Sequence, residues 1–151
     1  MRKPTCSVLI ASLVIGLAAG SLFAADAKVE KEVLDERARD LNEMAKKPGM
    51  AEVALKSISN ETGVPREQVD AMHKSHKNPS GILIACVLAD ETKKPAKTFL
   101  EHHAEGKSWT AMAHDHHVPL EKINARLAHV EKDLTVAREA EKKQEKAKKA
   151  P

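Results

Sequence analysis

Five of the eight histidines in this 151-residue chain crowd into sixteen positions, at His102, His103, His114, His116 and His117. Neutral imidazole is a good ligand for Zn²⁺, Cu²⁺ or Ni²⁺. Two imidazoles three residues apart on a helix share a face and can chelate one ion. His114 and His117 have that spacing, and His103 lies on the preceding segment, across the short turn at Gly106. Glu101, Glu105 and Asp115 stand near enough in sequence to complete or orient a shell. The candidate metal set is therefore His103, His114 and His117, for Zn²⁺ or Cu²⁺ in an exported compartment. No established ligand pattern accompanies them: there is no His-Glu-x-x-His, no pair of cysteines in the exported part and no Cys-x-x-Cys-His. Solvated surface histidines are the competing reading.

Catalytic constellations are thin. The serines (57, 59, 75, 80 and 108) have no Gly-x-Ser-x-Gly elbow around them, and no Gly-rich phosphate loop occurs. The carboxylates fall at i,i+4 from lysines, as helix-surface partners do, rather than as a sequestered acid–base pair. Cys86 sits inside the apolar run Ile82 to Ala89, where a thiol is a small buried hydrophobe. These residues call for no cofactor and predict a protein that is not an enzyme.

A second constellation is apolar. Leu120, Ile123, Leu127, Val130, Leu134 and Ala137 are spaced 3, 4, 3, 4, 3, a coiled-coil seam. This is the candidate interaction surface, for a protein partner or a second copy of the chain. Antiparallel packing within the chain competes with it, because the first helix carries a compatible stripe at Val29, Val33, Leu34, Ala38, Leu41, Met44 and Ala45. A third reading takes Gly106 to Ala113, Val118-Pro119 and the following helix as a DNA-binding helix-turn-helix. Its recognition helix would offer Glu121, Asn124 and Arg126 with acidic residues interleaved, which is a poor nucleic-acid surface.

The elements that must position these residues all read as helices and turns. At the start, Arg2 and Lys3 precede an uncharged apolar run from Val8 to Phe23 that closes on Ala24 and Ala25. That is the charged start, apolar middle and small-residue cleavage zone of a signal peptide, residues 1–25. The mature chain is then a periplasmic or secreted domain of about 125 residues, one core in size, meeting a membrane only during export. Losing Arg2 and Lys3 takes the formal net charge from +3 to +1, too little for a field that would recruit nucleic acid. Tyr is absent and aromatics are scarce, so the core must be built from Ala, Leu, Val, Ile and Met, which favours packed helices.

Breaks at Pro48-Gly49, Gly63, Asn78-Pro79-Ser80-Gly81 and Gly106 divide the chain, with Pro65 and Pro119 opening helices and Ser108 capping one. A repeat runs through it. Glu61-Thr62-x-x-Pro65-x-x-x-Val69-x-x-x-His73 matches Glu91-Thr92-x-x-Pro95-x-x-x-Phe99-x-x-x-His103 at an offset of thirty residues. Val64-Pro65 to Val69 is echoed again by Val118-Pro119 to Ile123. One helix–Pro-turn–helix unit is used more than once. The register also makes Ile82 to Ala89 a helix buried all round rather than a strand.

The words Glu61-Thr62-Gly63-Val64-Pro65-x-Glu67-Gln68-Val69, Gly81 to Lys94 and Gly106-Lys107-Ser108-Trp109 together resemble a group of small, exported, helical bacterial proteins of uncharacterised function. The resemblance covers about residues 50 to 130. It implies an exported helical domain and carries over no catalytic or binding residue.

The expected architecture is all-α: about seven helices over residues 28–137, a long C-terminal amphipathic helix, and a charged Lys-rich tail over 138–151. The expected function is non-catalytic partner binding or self-association through Leu120, Ile123, Leu127, Val130 and Leu134. Metal binding through the histidines is the alternative, and DNA binding the third.

Overall fold

The computed structural model describes residues 20–149, and most of the segment read as a signal peptide lies outside them. Among the described residues there are seven helices: α1 Gly20–Ala45, α2 Met50–Thr62, α3 Arg66–His76, α4 Pro79–Thr92, α5 Ala96–Ala104, α6 Trp109–Asp115 and α7 Leu120–Lys149. None of them is long and apolar enough to cross a membrane. The all-α expectation holds, as does the buried helix at its centre. Every residue of α4 from Pro79 to Leu88 is buried, and α4 touches α1, α2, α3, α5 and α7. Each fully buried Leu, Ile or Val there contributes about 1.5–3 kcal/mol.

Four of the corners share one construction. Gly63 (φ 68°), Lys77 (φ 49°), Lys93 (φ 58°) and His117 (φ 55°) are left-handed, and each stands two residues before a proline: Pro65, Pro79, Pro95 and Pro119. The left-handed residue turns the chain out of the helix and lets its own N–H reach back, as Gly63 does to Ser59 O (2.9 Å) and Lys77 to His73 O (2.8 Å). Proline, unable to continue the old helix, starts the new one. In the two full copies the threonine adds the same pair of bonds. Thr62 Oγ1 donates to Ile58 O (2.7 Å) and accepts from Val64 N–H (3.4 Å). Thr92 Oγ1 donates to Leu88 O (2.6 Å) and accepts from Lys94 N–H (3.3 Å). The thirty-residue repeat is thus a repeated corner, and of the break expected at Asn78 to Gly81 only Asn78 lies outside a helix: it caps α4, whose first turn is Pro79 to Gly81.

The long helix corrects the interaction reading. Ile123, Leu127, Val130 and Leu134 are 0–1% exposed and belong to the central core, with Leu120 packed at its edge. They face α1 and α2, so the seam is spent inside the domain and is no free surface. The expected partner helix is right but its direction is not. Arg37 of α1 meets Glu131, and Gly49, just after α1, lies against Glu141, so α1 and α7 advance together. The antiparallel neighbour is α2, where Ser57 bonds Asp133 (2.6 Å) and Glu61 bonds Arg126. On α1 only Leu34, Leu41 and Ala45 of the stripe are buried, while Val29 and Val33 are exposed. Of residues 138–151, read as a tail, 138–149 continue α7, solvated over 138–148, and the last two lie outside the described residues.

The repeat also fixes α7 at its polar edge. Glu61 and Glu91, equivalent in the two copies, take Arg126 (2.8 Å) and Lys122 (2.8 Å), one helical turn apart. His129 adds a second contact to Glu61 (3.1 Å). Such exposed pairs contribute at most about 1 kcal/mol each, so they set register more than stability.

Candidate functional site

His103, near the end of α5, lays its ring on Trp109, with centroids 4.1 Å apart and planes at 23°. Its Nδ1 is 3.0 Å from Lys107 O. A carbonyl can only accept, so Nδ1 carries the proton, and in the neutral ring Nε2 keeps the lone pair. Trp109 opens α6 behind the Ser108 cap, whose Oγ accepts from Ala111 N–H at 3.2 Å. The indole packs on α4 at Gly81, where a Cβ would come within 3.3 Å of it. Gly81 is therefore the space that lets Trp109 bury.

The other two predicted ligands do not join His103. α6 ends at Asp115, and Val118 N–H closes back to Ala113 O (2.8 Å), so His117 lies past the helix in a left-handed conformation. It shares no helical face with His114, and both are exposed. Among the described residues no group of three or more His, Cys, Asp or Glu side chains is gathered to hold a metal ion. The spacing argument fails because the helix it assumed stops two residues short. His117 instead serves as the corner before Pro119. His116 meets Phe99 edge-on at 5.5 Å, and burial, then the nearby Lys94 charge, depress its proton affinity. Asp115 is held below the usual carboxylate range by the hydrogen bond and charge of Lys107, 2.9 Å away.

The His103–Trp109 pair also borders a concavity. It is an open groove of about 740 Å³ between the C-terminal half of α1, the end of α3, the start of α4, and His103 with Trp109. Small residues explain it: Ala38, Ala45, Ala51 and Pro79 line it where larger side chains would have filled the space. His73 lines the same groove as His103. These two are the equivalent histidines of the thirty-residue repeat, so the two copies bring their last shared residue onto one surface of the fold.

The polar groups at the groove divide into committed and uncommitted. Asn42 Oδ1 accepts Ser80 N–H (3.1 Å), and Asn78 Oδ1 accepts Gly81 N–H (3.3 Å) and the Ser80 hydroxyl (3.0 Å). Pro79 has no N–H, so the first turn of α4 offers no free backbone donor to a ligand. Glu43 is held low by the hydrogen bond from Lys46 at 2.6 Å. Lys77 and His73 have no carboxylate within ion-pair reach among the described residues, and Arg39 only Asp40, at 3.9 Å.

A smaller cavity of about 110 Å³ sits over Cys86, roofed by the Glu61–Arg126 and Glu91–Lys122 pairs. Burial pushes the Cys86 thiol up to about 12, which leaves it unreactive at neutral pH.

Sequence reasoning missed Arg39, Asn42, Lys77 and Asn78 as groove residues. One signal was available, since the repeat offset pairs His73 with His103. In comparisons with protein-family models, curated proteins and solved structures, the chain finds no match.

Proposed function

We propose that this is an exported, non-catalytic helical module that binds its partner or ligand in the groove between α1, the α3–α4 corner and the His103–Trp109 pair. One observation carries the reading: the 740 Å³ concavity brings apolar surface together with Lys77 and His73, which have no carboxylate within ion-pair reach among the described residues. Ligand sites are concave, largely apolar and supplied with a few convergent polar groups, and this groove has that make-up. The charged start, apolar run and small-residue close of residues 1–25 support export. The α7 seam lends no support to self-association, being buried, and Arg126 of the would-be recognition helix is occupied by Glu61. Metal binding through His103, His114 and His117 lacks a gathered ligand set among the described residues.

The test is capture in the producing cell. A photoreactive amino acid at position 39, on the groove rim, is expected to acquire an adduct of defined mass on irradiation. The same probe at position 132, exposed on α7 away from the groove, is expected to acquire none. Equal labelling at the two positions, or none at 39, contradicts the reading.

A further inference from the structure

We infer that the occupant of the groove is a small amphipathic carboxylate, an organic acid with an apolar body. This rests on the groove being the binding site. The inference starts from where the fold spends its cations. Between helices they are consumed by carboxylates: Arg37 by Glu131, Arg66 by Glu52, Lys122 by Glu91, Arg126 by Glu61. At the groove this economy stops. Lys46 and Glu43 neutralise each other and Arg39 has only Asp40, at 3.9 Å, while Lys77 has no carboxylate within ion-pair reach among the described residues, and His73 and His103 line the same groove. The groove thus keeps a cation, Lys77, that no carboxylate of the fold takes up among the described residues.

The rest of the lining selects among anions. The α4 first-turn N–H groups are taken by Asn42 and Asn78. The cluster of backbone donors that a phosphate's oxygens exploit at helix starts is therefore missing. A carboxylate needs fewer donors, and a lysine ammonium with an arginine guanidinium can satisfy its two oxygens. Beyond the charged rim, Ala38, Ala45, Ala51, Pro79 and Trp109 offer apolar surface that inorganic anions cannot use. The volume suits a compact organic molecule.

The experiment uses the purified chain and three probes: octanoate, its neutral counterpart octanamide, and inorganic phosphate. Binding is followed by Trp109 emission, since the indole borders the groove, and by calorimetry. Octanoate is expected to bind saturably, with octanamide and phosphate each about tenfold weaker or more. Lys77→Glu is expected to weaken octanoate by about tenfold, while Lys132→Glu leaves it unchanged. Octanamide binding as tightly as octanoate would overturn the carboxylate assignment while leaving the groove a binding site. Phosphate binding as tightly would overturn the amphipathic part. No octanoate binding, with an adduct still captured at position 39, defeats this inference alone. No octanoate binding and no adduct defeats both it and the binding reading.

Discussion

Glu131 concentrates the electrostatic tension of the molecule in one side chain. Its Oε2 takes Arg37 at 3.1 Å, while its Oε1 is buried with no hydrogen-bond partner. Burial raises its pKa and the Arg37 charge only partly opposes that. A carboxyl whose folded value lies above its unfolded value stabilises most when protonated in both states. That contribution is present below about 4.3, the unfolded value, and is lost as pH rises through the folded one. Glu131→Gln keeps an oxygen for Arg37 and removes the titration. Urea midpoints of the two proteins are therefore expected to diverge in favour of Glu131→Gln as pH rises from 4 to 7. A constant difference across that range would show that burial of this carboxylate costs nothing. The same scale explains why the histidine reading went astray. His114 and His117 have helical spacing in the sequence, but spacing presumes a helix, and nothing in the residue type at 117 announces a left-handed stop. Gly63 marks its corner plainly; Lys77, Lys93 and His117 do not.

At the scale of elements, the proline two residues downstream was the legible sign, and it marks all four of these corners. A non-glycine residue in the left-handed region costs about 1–2 kcal/mol, and glycine returns roughly 0.5–1 kcal/mol of that as unfolded-chain entropy. Lys93→Gly is accordingly expected to stabilise the protein by up to ~1 kcal/mol, read as a higher melting temperature. A lower one would mean that the Lys93 side chain, 3.2 Å from Asp90, contributes more than its backbone costs. The α7 seam was equally legible as a stripe and equally silent about what covers it. A 3,4 spacing names the residues that share a face, and only the packing of α1 and α2 shows that the face is internal. Leu127 is fully buried, so Leu127→Asp combines a lost core side chain with a buried charge. It is expected to cost at least ~3 kcal/mol and to abolish cooperative unfolding by circular dichroism. A folded Leu127→Asp protein with altered assembly state would return the seam to the role of an interface.

For the whole molecule, composition and repeat register were enough to reach seven helices around a buried α4, because a chain poor in aromatics and marked by prolines has few other ways to bury its apolar residues. The groove was not legible, because it is made by absence. Alanines on α1 and α2 and Gly81 under Trp109 are unremarkable in sequence, and only their convergence leaves space. The apolar seam holds the domain together, and the groove is the surface proposed to meet a ligand. That division is tested most directly by amide hydrogen exchange across residues 123–134 at several protein concentrations. If the seam is core, these amides exchange among the slowest in the chain, with free energies near that of global unfolding and independent of concentration. Protection that falls away on dilution would mean that a second copy covers the seam, and would contradict the account.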